Sequence, residues 1–510
     1  MCCPAATATA EPRETASGAA RRPEGRSPRR GRTPSTEGFD LGGGYPCVTV
    51  RLYNTLTRSV EEVVPIDDRH VRMYSCGPTV YRYVHIGNLR TFLLSDLVRR
   101  ALEFEGFRVT QIMNITDVGH MTDDVSDAGR DKMLLAVEDE GLSPAQIAQK
   151  YTQAFLEDTA KLGILPAHGY PKATDHIPEM VGLTERLVGN GHAYAVGGTV
   201  YYDVQSFPGY GKLSGNTLEQ LRAGHRQDLE VDPNKKHHAD FALWKKAGEN
   251  RLMRWDSPWG EGFPGWHVEC SAMSMKYLGE RFDIHTGGVD LIFPHHEDEI
   301  AQSEGAVGHP VVSIWVHGGH LRLTGQKMAK SSGNIVRIGD LEAMGFDPLS
   351  FRYLTFQTRY RREMDFSEDA MRAADQHVKQ LRRRMADWGG PAEPSEAAKA
   401  FEARFREAVA DDLDMPEALV VLNETARSSL PDGEKYALLA SWDAVLGLDL
   451  EREARAGWEP TEEMAGLVGE RDAARGAKDF ALADEIRDRL QDLGLEVMDT
   501  PEGTKIRPRT

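Results

Sequence analysis

The apolar residues that follow Gly87 recur at helical spacing through "NLRTFLLSDLVRRALEFEGF", which predicts one long helix ending at Gly106. Before it, Val71 to Tyr74 is a short strand candidate, and after it "RVTQIMNITDVG" reads as a second strand. Strand, glycine-containing loop, helix and strand make a βαβ unit, so these strands belong to a parallel sheet. A further strand-like stretch, "VTVRLYNTL", begins at Val48. A second block of αβ character runs from about residue 265 to 335, with "FDIHTGG" and "SIWVHGG" as strand ends. The residues between the two blocks mix helices with a short β-like passage, "HAYAVGGTVYYDV". Beyond Asp365 the pattern is almost wholly helical and richly charged, and Ser395 in "AEPSEAAKAFEARF" is placed to cap a helix.

This patterning predicts an α/β protein with a Rossmann-like parallel-sheet domain split by an insertion, followed by an α-helical bundle and a C-terminal region. The corresponding spans are 46–117 and 265–365 for the two halves of the sheet domain, 118–264 for the insertion, 366–450 for the bundle and 451–510 for the last region. Residues 1–45 are rich in Arg, Pro, Ala, Gly and Thr, with no aromatic before Phe39, and are predicted to be disordered for want of apolar surface to bury. They lack the apolar core of a secretory signal, and Glu11, Glu14, Glu24 and Glu37 argue against an organellar transit peptide. A start codon assigned too far upstream is an equal alternative.

With 510 residues, 40% of them hydrophobic and 27% charged, the chain has the composition of a soluble globular protein. No apolar run approaches the ~18–20 residues needed to span a bilayer, so no membrane association is expected. A formal net charge of -18 argues against a non-specific polyanion binder but leaves room for local basic patches. Five cysteines are present, and only Cys76 and Cys270 fall in the body of the chain. Two thiols so far apart are no disulfide framework, which fits a reducing cytoplasm.

Three short passages carry candidate chemistry. "HIGN" (His85 to Asn88) lies between a predicted strand and helix, where Gly87 lets a ligand approach and unpaired N–H groups can receive phosphate. "KMAKSSGN" places Lys327 and Lys330 around a small-residue turn, suited to phosphates whose charge grows in a transition state. "PHHEDEIAQSE" (294–304) has two histidines and four acids, which alone reads more readily as a polar helix start facing water than as a metal site. Each passage alone is a weak signal; the order of the first two across a split αβ domain is a much stronger one.

Taken with "LYNTLTR", "YSCGPTVYRYVHIGNLRTFLLSDLVRR", "NITDV", "DFALWK", "WDSPWGEGFPGWHVECSAMSMKYLG", "FDIHTGGVDLIFPHHEDEIAQSE", "DFSEDAM" and "KDFALADEIRDRLQDLGLEVMDTPEGT", these motifs resemble the cysteinyl-tRNA synthetases among the class I aminoacyl-tRNA synthetases. The likeness runs from about residue 48 to 505. It implies a ligase that activates cysteine with ATP, accompanied by Mg2+, and transfers it to tRNA(Cys), with residues 451–510 as an anticodon-binding region. It implies one Zn2+ per subunit on Cys76, Cys270, His295 and Glu299, a chemically sound zinc set. His295 and Glu299 are four apart and so share a helix face, whereas His296 and Glu297 are expected to point elsewhere, beside the ligands or at the surface. By the same resemblance His85 and Asn88 meet the ATP phosphates, and Lys327 and Lys330 the departing pyrophosphate. Gly77, Thr116, Trp266 and His285 belong to the cysteine pocket, and Gly287, Gly288 and Asp290 to the loop facing adenosine. A monomer is expected.

The chain departs from the family's usual pattern at Asn88, where a second histidine is common, at Ala329, where a serine is, and at Ile506, where a tryptophan is. Two other readings compete: a ligase joining cysteine to an amino sugar, of the mycothiol-pathway type, and a weakened paralogue with an RNA-binding or regulatory role. Against the first, residues 366–510 persist, with "RYRREMDF" and "KQLRRRM" offering cations to an RNA backbone.

Overall fold

A computed structural model describes residues 48–123, 128–219, 232–249, 251–323, 326–327, 335–455, 460–477, 479–493, 495–500 and 503–508. The tail predicted over 1–45, and Ala329, Lys330 and the rest of "KMAKSSGN" after Lys327, lie outside them.

The predicted βαβ unit is present as strand β1 (His70–Ser75), helix α1 (Ile86–Phe104) and strand β2 (Arg108–Met113). Two more strands, β3 (Phe282–Gly288) and β4 (Val312–Gly318), complete a four-stranded sheet in the order β4-β3-β1-β2, with every pairing parallel. The register sets Tyr74 beside His285 on one side and Ile112 on the other. Helices cover both faces, as an all-parallel sheet requires. On one face Val71, Met73, Ile284, Ile314 and Val316 share a core with Leu89, Phe92 and Leu93 of α1. On the other, Tyr74, Ile112 and Trp315 pack with Val268 and Met273 of α2 (Trp266–Leu278) and Ile300 of α3 (Glu297–Val307).

Residues between β2 and α2 form helices and an antiparallel four-stranded sheet that includes Ala193–Val196 and Thr199–Tyr202, the passage read as β-like. "VTVRLYNTL" supplies Arg51–Asn54, which pairs with Ser59–Glu62 in a separate hairpin. After β4, a small sheet joins β5 (Leu321–Leu323) to β6 (Gln326–Lys327) on one side and to β7 (Met364–Phe366), in parallel, on the other. Helices Glu368–Trp388, Glu396–Ala410, Met415–Arg427 and Asp432–Leu446 follow, and the Ser395 side chain caps the second of them at the Ala398 N–H. They extend the α1-side core, with Phe405 stacked on Trp442 at 4.3 Å. Helical patterning past Asp365 fails at the end of the chain. Leu495–Thr500 and Gly503–Pro508 form an antiparallel hairpin, because Leu495 and Val497 alternate at strand spacing and pack on Ile486 and Leu490.

Several of the cations expected to face RNA are paired within the protein. Arg382 is 3% exposed and bonds Asp347 at 2.5 Å, Arg361 pairs with Asp412 at 2.6 Å, and Arg359 pairs with Asp414. A buried charge is retained only when paired, so Arg382 holds the bundle to its neighbour, whereas Arg359 and Arg361 keep 40% and 35% of their side chains exposed.

Candidate active site

A cleft of about 240 Å³ opens beyond the C-terminal ends of the sheet strands, where ligands of open α/β sheets bind. Cys76, Gly77, His85, Gly87, Asn88, Trp266, Gly288 and Asp290 all line it. The N-terminus of α1 faces the cleft, and a helix of this length presents a useful partial positive charge there. His85 is the N-cap: its Nδ1 accepts the Asn88 N–H at 3.2 Å, and its own N–H donates to Asn88 Oδ1 at 3.3 Å. Asn88 therefore completes a reciprocal capping box, so the residue that departs from the family pattern braces the loop beside it.

Under the cleft four side chains from four segments of the chain converge. Cys76 follows β1, Cys270 lies on α2, His295 lies in the turn Ile292–His296, and Glu299 lies in the first turn of α3. One ligand atom from each falls within 4.8 Å of all the others, and the four residues are 7%, 2%, 2% and 3% exposed. Two thiolates held ~2.3 Å from a tetrahedral zinc stand about 3.8 Å apart, and the Cys76 and Cys270 sulfurs are 3.8 Å apart. His295 Nε2 is 3.0 Å from Glu299 Oε1. The donor set and its spacing fit a zinc ion.

Electrostatics within the cluster pull in opposite directions. Burial, reinforced by Cys270 and Glu299, pushes the Cys76 thiol well above its usual range, while the hydrogen bond from Cys76 draws the Cys270 thiol down. Burial would raise Glu299, but His285 and His295 outweigh it and hold the carboxyl at about 2. Burial opposes a charge on His295, yet Glu299 and Cys270 lift it to about 10. Anionic and anion-prone donors thus face one point with only imidazole to balance them, a setting a divalent cation would relieve.

The remaining sequence-predicted residues divide. Thr116 does not line the cleft: it is 2% exposed, donates to Glu269 Oε2 at 2.8 Å and accepts from Asn114 at 3.0 Å. His285 lies behind the cluster, its Nε2 3.0 Å from Glu299 Oε2 and its ring stacked on Trp315. Gly287 faces protein, since a Cβ there would come within 2.5 Å of the His296 ring. Trp266 lines the cleft with its ring 4.3 Å from that of His295. Lys327 sits on β6 opposite Arg322.

Sequence reasoning missed the rest of "PHHEDEIAQSE". His296, Glu297 and Asp298 are at most 1% exposed, so His296 and Glu297, expected beside the ligands or at the surface, do not lie at the surface, and the reading of the acids as a helix start facing water is overturned. His296 Nε2 is 3.2 Å from Cys76 Sγ, and its Nδ1 is 2.7 Å from His317, whose own Nδ1 is 2.8 Å from Thr55 Oγ1. Cys76, His285, His296 and Glu299 form a second group of mutually close ligand atoms that shares two members with the first. The chain leaves helical geometry at Phe293 (φ -139, ψ 133), so two adjacent histidines both turn inward. Spacing carried a usable clue, since His296 and Glu299 are three apart and share a face. Glu297 accepts the Ser214 N–H at 2.8 Å and Asp298 accepts the Tyr210 hydroxyl at 2.6 Å, so these acids fasten the insertion to α3. Tyr81, inside a quoted passage but not singled out, and Lys132, outside all of them, also line the cleft.

Comparison with known proteins gives a consistent picture. Residues 62–376 match the family model for the tRNA synthetases class I (C) catalytic domain, and residues 459–507 that for the cysteinyl-tRNA ligase anticodon binding domain. The cysteine–tRNA ligase of Treponema denticola is 42% identical over 485 residues, spanning 89% of this chain and 98% of the relative. That of Thermus thermophilus is 44% identical over 478 residues, with the same coverage. In fold the chain is similar to a Mycobacterium tuberculosis methionyl-tRNA synthetase solved with methionyl-adenylate, with a TM-score of 0.52 at 14% identity, over 76% of this chain and 92% of that one.

Proposed function

The chain belongs to the cysteine–tRNA ligase family of class I synthetases, and on that premise we propose that it joins cysteine to tRNA(Cys) in the cleft, with one Zn2+ held by Cys76, Cys270, His295 and Glu299. The observation that carries this reading is the convergence of those four donors at the floor of the cleft that His85 and Asn88 also line.

The reaction has two steps. The carboxylate of cysteine attacks the α-phosphate of ATP, giving cysteinyl-adenylate and pyrophosphate. The terminal ribose hydroxyl of tRNA then attacks the acyl carbon and AMP leaves. Neither step needs a protein nucleophile; both need alignment and charge stabilisation. The α1 N-terminus with His85, Gly87 and Asn88 receives the ATP phosphates, which carry Mg2+. Lys327 and Lys330 meet the departing pyrophosphate, Gly288 and Asp290 face the adenosine, and Trp266 and Gly77 bound the amino acid. Thr116 and His285 act from behind, by fixing Glu269 and Glu299. Zinc bound in the cluster would offer one further coordination position, for which a thiolate competes far better than a serine hydroxyl, because thiols ionise near neutrality and are the softer ligand. That discrimination addresses a pair of substrates that pocket shape alone separates poorly.

The anticodon-binding match over residues 459–507 supports tRNA over an amino sugar as acceptor. A family of tRNA ligases, together with the absence among the described residues of any helix long and apolar enough to cross a membrane, supports a cytoplasmic site of action. The decisive experiment is cysteine-dependent ATP–pyrophosphate exchange followed by charging of tRNA(Cys) against an amino-sugar acceptor, with zinc measured on the same protein. Exchange with tRNA charging and one zinc per chain is expected. Exchange with sugar charging alone, or no exchange, would overturn the reading.

A further inference from the structure

We propose that Arg90 is a positioning residue that locks the α1 wall of the cleft to the β5–β6 hairpin bearing Lys327. It rests on the cleft being the ATP site. Arg90 lies two residues beyond Asn88 on α1, is not itself a lining residue of the cleft, and is 6% exposed. Its Nη1 donates to the carbonyls of Gly319 at 2.8 Å and His320 at 2.7 Å, and its Nη2 to the carbonyl of Arg362 at 2.8 Å. Gly319 and His320 line the cleft and lead directly into β5, whose partner β6 carries Lys327. Arg362 leads into β7, the other neighbour of β5. One guanidinium therefore grips both chain segments that enter this small sheet, from the helix that presents His85 and Asn88.

All three acceptors are neutral carbonyls, and burial lowers the Arg90 pKa to about 10. Taking a charge out of water without a carboxylate partner is a poor way to gain stability. What the guanidinium supplies is direction, because its planar fork fixes three carbonyls at once. Gly319 adds a second constraint on the same turn: a Cβ there would lie 2.5 Å from the Arg362 carbonyl, so the two segments approach more closely than any other residue permits. On the proposed function the β5–β6 hairpin that carries Lys327 and the α1 N-terminus serve the same triphosphate, so small errors in their separation fall on ATP rather than on cysteine.

The test uses Arg90→Met and Arg90→Lys in the full chain, with zinc bound. In cysteine-dependent ATP–pyrophosphate exchange, KM for ATP should rise at least about tenfold in Arg90→Met, and less in Arg90→Lys. KM for cysteine and zinc content should stay at parental values, even where the lost hydrogen bonds lower the thermal midpoint. Amide hydrogen exchange over residues 319–323 should quicken in Arg90→Met, a readout that needs no turnover. Unchanged KM for ATP together with unchanged amide exchange would overturn the tether. A lowered midpoint with both KM values moved equally would assign Arg90 a purely structural part and overturn it as well. An inactive parent protein would strike at the reading of the cleft instead, leaving the amide exchange to decide the tether.

Discussion

The two faces of the central sheet handle buried charge in different ways. On the α1 side, Asp96 is neutralised within the protein: Arg100 Nε bonds it at 2.7 Å and Arg352 Nη1 at 2.6 Å, with Asp96 and Arg352 wholly buried. Arg352 also donates to the Leu446 carbonyl at 2.5 Å and the Leu162 carbonyl at 3.3 Å, so this closed network joins α1 to the bundle and the insertion. On the α2 side, Cys76, Cys270, His295 and Glu299 gather donors around one point and stay electrically unfinished. A network complete in itself is structural; one that is completed by a cation is where chemistry can be placed.

The contrast can be broken most forcefully at Cys270. Cys270→Ala should lose its bound zinc and drop cysteine-dependent exchange by more than about 100-fold, more than outer-shell changes cost, while its urea midpoint moves little. Unaltered zinc content in that variant would remove Cys270 from the site. Asp96→Asn should do the reverse, lowering stability by about 3–5 kcal/mol because the buried Arg352 guanidinium and the partly buried Arg100 lose their carboxylate, with zinc retained. It also carries a pH signature. Burial alone would raise Asp96, but Arg100 and Arg352 overcome it and hold the carboxyl below its usual range. A depressed folded pKa gives stability that is present above the unfolded value and lost as pH falls through the folded one. Urea midpoints should therefore depend less on acid below about pH 4 in Asp96→Asn than in the parent. If the two proteins respond alike to acid, Asp96 is not the group that matters.

Smaller effects test the shell around the open cluster. Tyr210→Phe removes the hydroxyl bonded to Asp298, which in turn lies 3.3 Å from His267. A loss of about 1 kcal/mol is expected, with zinc affinity, read by chelator competition, weakened by less than tenfold. Ser395→Ala, far from either network, should cost about 1 kcal/mol through the lost helix cap and leave both zinc and exchange untouched; any change in zinc affinity there would mean the cluster senses the bundle.

Much of this was legible in the chain of letters. Helical spacing after Gly87 and the apolar runs either side of it are local properties, so the βαβ unit and the ends of "FDIHTGG" and "SIWVHGG" could be read directly. The four zinc-type residues were picked out through resemblance and through the spacing of His295 from Glu299. The closing hairpin at Leu495–Pro508 was overlooked because a two-residue alternation is short and sits among charged helical sequence. The acids of "PHHEDEIAQSE" looked solvated because acids at a helix start usually are.

By itself the sequence determined which elements form and which residue types are on hand: two thiols, a cluster of imidazoles and carboxylates, and a glycine loop leading into a helix. Periodicity reports on neighbours within an element and nothing further. Tertiary structure alone decided that Cys76 and Cys270, 194 positions apart, stand 3.8 Å from each other. It decided that His296 turns inward beside them, and that Arg90 meets the backbone carbonyls of Gly319, His320 and Arg362. These outcomes follow from the strand order and from how α1 and α2 cover opposite faces of the sheet. That packing chooses partners across distances no local pattern spans.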